Sequence, residues 1–175
     1  HGGNENETEA AVAELAETLD ACGGHSDATW LATNEHDMRS MKAFRHAVPE
    51  SVNHEIDVRR RHEPKLTKLG TDLAVPDGSL RDVIRLYHEG LARERLDYVI
   101  FGHIGNNHLH VNILPRDLDE YQRGRQLYLE WAHAVVAMGG TVSAEHGIGK
   151  LKTALLREMY GEDGVGQMRA LKQRF

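Results

Sequence analysis

The chain of 175 residues is long enough for one full-sized domain with a small appendage, and it can bury a sizeable core without disulfides or metals. Its 40% hydrophobic and 27% charged residues are typical of a globular protein, and no apolar run approaches the roughly 20 residues of a membrane span. The net charge of −6, without a dense basic patch, argues against nucleic acid as a partner. Cys22 is the only cysteine, which excludes a disulfide framework and favours a reducing compartment. We expect the protein in the cytoplasm, with a peripheral position at the inner membrane as the alternative.

The N-terminal half is predicted to be mainly helical, because apolar residues recur there at helical spacing between glycine, proline and capping signals. A stretch dense in Arg, Lys, Glu and His is interpreted as a solvated, mobile loop. In chain order the predicted elements are a helix over residues 5–21, a short strand over 28–33, a helix from about 34 to 48, the charged loop over 53–68 and a strand over 73–75.

The C-terminal half mixes helical periodicity with apolar–polar alternation, which predicts both helices and strands. Its predicted elements are a helix over 80–92, a strand over 96–101, a turn at 104–107, a strand over 108–115, a helix over 117–138, a strand over 141–144 and two short helices at the end. Because the hairpin around 104–107 is antiparallel, we expect an α+β domain, an antiparallel sheet covered by helices, and not a doubly wound parallel sheet.

Histidine is the unusual residue of this chain, which has twelve, and three of them fall on the hairpin. A four-residue turn at 104–107 places His103 opposite His108. Side chains alternate along a strand, so His108, His110 and Asn112 share one face while the intervening apolar residues point into the core. Either this polar face is a site, or it is simply exposed to solvent.

A second polar motif, Glu145-His146-Gly147-Ile148-Gly149, follows the last predicted strand. If that strand lies beside the hairpin, Glu145 completes a set of two histidines and one carboxylate with His103 and His110. Such a set suits a divalent metal, Zn most readily, with Mn or Fe as alternatives. If the backbone stays extended, His146 points elsewhere and is free for acid–base chemistry.

Four stretches together resemble a known family over nearly the whole chain. They are Phe44–Glu50, Thr71–Pro76, Gly102–Asn112 and Gly139–Gly149. The resemblance is to the C-terminal (cap, or substrate) domain of FAD-linked oxidases, namely the D-lactate, glycolate and D-2-hydroxyglutarate dehydrogenases of the vanillyl-alcohol-oxidase flavoprotein type. It implies a ferredoxin-like cap fold.

The resemblance also implies roles for individual residues. They are metal ligation for His103, His110 and Glu145, proton acceptance from the substrate hydroxyl for His146, and contact with the substrate carboxylate for Asn112 and Arg45. A guanidinium fork is well suited to that last role. The family usually has Asp-Gly-Asn where this chain has Asn106-Asn107-His108, so His108 has no family role and a flavin contact from the turn is not carried over.

The resemblance implies that the chain is the substrate- and metal-binding part of an FAD-dependent 2-hydroxy-acid dehydrogenase, which oxidises a D-lactate- or glycolate-like acid to a 2-keto acid. We expect residues 1–175 to be a cap domain truncated at both ends, inactive alone and without FAD of its own, whose partners are its N-terminal FAD domain, the 2-hydroxy acid and an unidentified electron acceptor. Two alternatives remain open, a metal-dependent hydrolase and a non-catalytic metal-binding module.

Overall fold

The computed structural model describes residues 4–149 and 152–175. The chain divides into two compact units, His1–Ala47 and Val48–Phe175. The helices are α1 Glu5–Ala21, α2 Glu35–Arg60, α3 Leu80–Glu94, α4 Leu118–Ala137 and α5 Thr153–Lys172, with one-turn 3₁₀ helices at Ser26–Ala28 and Ile104–Asn106. The strands are β1 Leu69–Gly70, β2 Leu73–Ala74, β3 Tyr98–His103 and β4 His108–Ile113.

Strand β4 is the centre of a small, wholly antiparallel sheet. β3 pairs along one side of β4, and β1 and β2 pair with successive parts of the other side. Both short strands keep one register on β4, with Gly70 opposite Asn112 and Leu73 opposite Leu109. Residues 69–74 therefore lie along β4 in one continuous antiparallel register. Five helices and an antiparallel sheet confirm the α+β prediction.

One face of this sheet packs on α3 and α4 and forms the main core of the second unit. Tyr87 of α3 and Trp131 of α4 meet edge to face with ring centroids 4.8 Å apart, a favoured aromatic arrangement. The β4 residues predicted to point into the core do so: Leu109, Val111 and Ile113 are buried in this cluster. The hairpin's other face is therefore free to carry polar side chains.

The prediction of a strand over residues 28–33 is wrong. The chain forms a 3₁₀ turn at Ser26–Ala28 and continues without regular structure, with Trp30 and Leu31 exposed. A strand needs a neighbouring strand to satisfy its N–H and C=O groups. In the described part of the first unit the regular elements are all helices, so no such neighbour is present there. A short apolar run alone does not supply that partner.

Helix α2 is longer than predicted and replaces the first part of the charged loop expected at 53–68. It continues through Pro49, although a proline ring removes one helical N–H donor and crowds the preceding turn. Val52 and Ile56, one turn apart, are buried and pack with Leu114. This apolar pair among charged neighbours is the stabilising contact that the loop interpretation overlooked.

The strand predicted over 141–144 is reduced to a single bridge. Thr141 and Ala74 exchange both backbone hydrogen bonds, at 3.1 and 2.9 Å. The chain then bends: the N–H of Val142 donates to Met159 Sδ and that of Ser143 to Thr141 Oγ1, whereas the N–H of Ala144 donates to the Asp72 carbonyl at 3.1 Å. The final helix is interrupted at Gly161, where φ is +64°, so the prediction of two short helical segments is confirmed.

Gly102 is a point where the hairpin requires glycine. Its φ is +154°, and an added Cβ would lie 2.4 Å from the backbone oxygen of His108. We expect Gly102→Ala to lower the free energy of unfolding by about 1–3 kcal/mol, since backbone atoms must shift to accept the methyl group. Gly105 in the same hairpin has nothing within 4 Å of its would-be Cβ. Gly105→Ala should stay within about 0.5 kcal/mol of the parent chain in urea unfolding. Equal losses in the two variants would contradict this account.

Candidate metal and substrate site

The hairpin brings three imidazoles together as predicted. His103 pairs with His108, and Phe101 pairs with His110. The ring centroids of His108 and His110 lie 4.3 Å apart, and that of His103 lies 6.0 and 6.4 Å from them. His108 is only 3% exposed and Asn112 only 4%. The alternative of a simple solvent-exposed face is therefore wrong.

Glu145 lies among these imidazoles. Its Oε1 is 3.0 Å from His103 Nε2 and 3.7 Å from His108 Nδ1, and its Oε2 is 3.7 Å from His110 Nε2. The segment that carries Glu145 reaches the hairpin because it is bonded to the edge of the sheet through residues 72–74. The structure thus brings together the two histidines and the carboxylate that the sequence pattern singled out.

The protonation of His110 bears directly on metal binding. His110 Nδ1 lies 2.9 Å from the backbone oxygen of Thr71, so Nδ1 carries the hydrogen and donates it. In the neutral ring Nε2 is then an acceptor, and it faces the Glu145 carboxylate at 3.7 Å. Two acceptors that face each other are stabilised by a cation between them, and an imidazole held through its other nitrogen is the usual arrangement of a metal ligand. This donor set fits a divalent metal.

Two groups of donors among the described residues lie close enough to hold a cation. They are His103 with His110 and Glu145, and Asp72 with His110 and His146; within each group the donor atoms lie within 4.8 Å of one another. The first group fits better, because the Asp72 carboxylate already accepts from the Ser143 hydroxyl and the Lys152 ammonium. A cation placed there would stand beside the charge of Lys152.

His146 remains beside the site and does not point away from it. Its Nε2 is 3.8 Å from Glu145 Oε2, and its ring centroid is 5.5 Å from that of His110. The backbone here is bent and not extended, which explains the difference from the expected geometry. The His146 side chain is 65% exposed, so it borders the site on the solvent side, where a substrate could reach it.

Asn112 is buried on the same strand face, two residues beyond His110. Its Nδ2 is among the buried polar atoms of the described residues that have no hydrogen-bond partner. An unsatisfied buried amide costs free energy, so it marks a position where a ligand oxygen would be favoured.

His108 occupies the position where the resembled family has Asn. Its Nε2 lies 3.2 Å from Asp72 Oδ1, although not in hydrogen-bonding geometry. Burial lowers the pKa of His108, and the neighbouring His110 lowers it further, against the opposite effect of Glu145 and Asp72. The preceding Asn107 adopts a left-handed φ of 50°, a conformation that Gly favours and that Asn also tolerates.

Sequence reasoning missed two members of the site, Asp72 and Lys152. Lys152 Nζ lies 2.7 Å from Asp72 Oδ2, and the Asp72 side chain is almost completely buried. The available signal was alternation: the register places Gly70, Asp72 and Ala74 on the face that carries the histidines, with Leu73 on the core side. The predicted strand over 73–75 began after Asp72, and neither β1 nor the pairing of this segment with β4 was predicted, so this signal could not be applied.

Arg45, predicted to bind the substrate carboxylate, lies in the first unit, where it is exposed on α2. Its predicted role stays a prediction.

Comparison of the chain's sequence with known protein families identifies the family to which it belongs. Residues 1–175 match the family described as "FAD linked oxidases, C-terminal domain". The chain belongs to this family of FAD-linked oxidase C-terminal domains, which confirms the resemblance inferred from its motifs.

Several curated relatives are similar to the chain. One, named probable D-lactate dehydrogenase, mitochondrial, from Danio rerio, is 32% identical over 98% of this chain and 33% of the relative. A D-2-hydroxyglutarate dehydrogenase from Xanthomonas citri is 27% identical over 94% of this chain and 34% of the relative. The glycolate oxidase subunit GlcD of Bacillus subtilis is 29% identical over 63% of this chain and 24% of the relative. The aligned part of the chain therefore spans about a quarter to a third of these relatives' length.

Within the part of the chain that the structure describes, no helix has the length and apolar character needed to cross a membrane.

Proposed function

We propose that this chain binds a 2-hydroxy acid and a divalent cation beside FAD that is held by a separate domain, and that the complete protein oxidises the acid to a 2-keto acid. The observation that carries the proposal is the pair of facing acceptors, His110 Nε2 and the Glu145 carboxylate, in a member of the FAD-linked oxidase family. The relatives named D-lactate dehydrogenase and glycolate oxidase favour a small D-lactate- or glycolate-like acid.

In this proposal His103, His110 and Glu145 hold the cation, with Zn as the first choice and Mn or Fe as alternatives. A divalent ion bound there supplies Lewis-acid polarisation of the substrate oxygens. Asn112 donates its unpartnered Nδ2–H to the substrate carboxylate. For Arg45 of the first unit we retain the proposed role of pairing with a substrate carboxylate through its guanidinium fork.

The oxidation removes two hydrogens from the substrate, a hydride from the α-carbon and a proton from the hydroxyl. We propose His146 as the acceptor of the proton, at the Nε2 atom, because its exposed ring borders the donor set. FAD, when bound, supplies the two-electron acceptor for the hydride. The protein's role is to orient the α-carbon toward that acceptor while His146 takes the proton.

The exposure of the site is consistent with a reaction shared between two domains. His108 and Asn112 are buried, whereas the side chains of His103, Glu145 and His146 are 37%, 41% and 65% exposed. The site therefore has a closed floor and an open side. An open side fits a flavin presented by another domain.

The test uses the FAD-loaded enzyme that contains this chain and an electron-accepting dye. We expect dye reduction with at least one of D-lactate, glycolate and D-2-hydroxyglutarate, its loss on chelation, and its recovery with Zn²⁺, Mn²⁺ or Fe²⁺. Absence of turnover with all three acids in the metal-loaded enzyme would contradict the proposal. Metal-dependent hydrolysis of esters by the chain alone would favour the hydrolase alternative, and metal binding without either reaction would favour the non-catalytic module.

A further inference from the structure

We propose that Asp72 is the positioning residue of this site: its buried carboxylate holds the backbone of Glu145 and His146 in place, with Lys152 neutralising its charge. The inference deepens the proposed function and rests on it for the identity of the bound cation. The positioning itself stands on contacts within this chain.

Asp72 is 2% exposed and accepts hydrogen bonds through both carboxylate oxygens. The backbone N–H of Glu145 donates to Oδ1 at 3.1 Å, and the N–H of His146 donates to Oδ2 at 3.1 Å. The Ser143 hydroxyl and the Lys152 ammonium also donate to Oδ2, at 3.1 and 2.7 Å. One side chain thus organises both functional residues of the Glu-His motif.

The position of Asp72 in the fold explains how it acts on two parts of the site. It lies between β1 and β2, and the shared register of those strands on β4 places it opposite His110. The backbone oxygen of its neighbour Thr71 accepts from His110 Nδ1 at 2.9 Å. Thr71 therefore orients the His110 imidazole through its backbone carbonyl. Asp72 orients the Glu145–His146 backbone through its side-chain carboxylate.

The chemistry of these contacts indicates an acceptor and not a metal ligand. The Asp72 side chain is buried, and every hydrogen bond that its carboxylate makes in the described structure is one that it accepts. Its oxygens already have four donors, one of them cationic. A carboxylate whose oxygens are occupied in this way holds the neighbouring metal ligands in position without itself binding the metal. This is the usual role of an outer-shell partner.

Asp72→Asn tests the inference, because the amide keeps the shape but replaces one acceptor oxygen with a donor NH₂ group. In the 175-residue chain we expect the amide hydrogens of Glu145 and His146 to exchange faster with solvent. We expect the dissociation constant for Zn²⁺, measured by titration, to rise by about 10–100-fold, the usual cost of losing an outer-shell partner. In the FAD-loaded enzyme kcat should fall, because His146 is misplaced even when saturating Zn²⁺ and substrate restore binding.

Glu120→Gln is the matched control. Glu120 is also a buried carboxylate, 5% exposed, and it accepts from the backbone N–H and the Nε of Arg116 at 2.9 and 2.8 Å. Its loss should lower the midpoint of thermal unfolding without changing Zn²⁺ affinity or the exchange of the Glu145 and His146 amides. If Glu120→Gln weakens Zn²⁺ binding as much as Asp72→Asn does, Asp72 acts only through general stability and the inference fails.

A double variant, Asp72→Asn with Lys152→Met, separates charge from position. It removes the unpaired ammonium, so it should recover thermal stability relative to Asp72→Asn while leaving Zn²⁺ affinity low. Recovery of both properties would overturn the inference, because charge balance alone would then explain the single variant. Absence of Zn²⁺ binding by the parent chain would count against the proposed function, whereas unchanged exchange of the Glu145 and His146 amides in Asp72→Asn would count against the positioning role.

Discussion

His146→Asn is expected to retain the metal and to bind substrate, yet to lose kcat by about 10²–10⁴-fold, the usual contribution of a positioned general base. The structure supports this separation of roles, because the His146 ring lies on the exposed side of the donor set. Its backbone N–H, which bonds to Asp72, is untouched by the substitution. Glu145→Gln should instead lose metal, and substrate affinity with it, since the carboxylate is the charged member of the set. Metal content and steady-state kinetics of the FAD-loaded enzyme measure both effects.

The two variants also show how the assignment can fail. Loss of metal in His146→Asn with retention in Glu145→Gln would exchange the two roles and would favour the donor group of Asp72, His110 and His146. Full metal content and full activity in both variants would reduce the segment to a structural turn. The hairpin histidines would then be the remaining candidates for the site.

His103→Ala and His110→Ala are expected to abolish retention of metal during purification and to lower activity by orders of magnitude. Each removes one of three donors, so the loss in affinity should exceed the about 10–100-fold that an outer-shell partner contributes. His110→Ala should have the larger effect, because Thr71 holds His110 in the ligating tautomer, whereas among the described contacts His103 meets only Glu145 and the other rings. Elemental analysis of the purified enzyme and Zn²⁺ titration of the chain measure these losses.

His133→Ala is the matched control for the hairpin variants. His133 is on α4 and contacts Glu158 at 3.2 Å, outside both candidate donor groups. It should keep metal content and activity. Unchanged metal content in both hairpin variants would reassign His103 and His110 to a structural role.

The hairpin site was predictable because its geometry is local. A turn of four residues fixes which histidines face each other, and alternation along β4 fixes which share a face, so both follow from sequence spacing. The length of α2 was not predictable in the same way. Its continuation depends on burial of Val52 and Ile56 against residues distant in sequence, and their charged neighbours hide the apolar pair.

Asp72 and Lys152 illustrate what sequence spacing cannot give. They are separated by eighty positions and meet only because residues 69–74 pair with β4 and the Glu145 segment bends toward that edge. The motif stretch from Thr71 to Pro76 pointed to the family without indicating what its acidic residue does. Burial and hydrogen bonding, which only the folded chain reveals, supply that role.

The bridge between Ala74 and Thr141 and the ion pair between Asp72 and Lys152 have a kinetic consequence. In the sequence these two anchors bracket Glu145 and His146, and both anchors are fastened to the same short edge of the sheet. Movement of the Glu145–His146 backbone away from the hairpin therefore requires breakage of contacts that lie outside the donor set. Opening of this segment should accordingly be slow and steeply temperature-dependent, and so should any release of the proposed cation that depends on it.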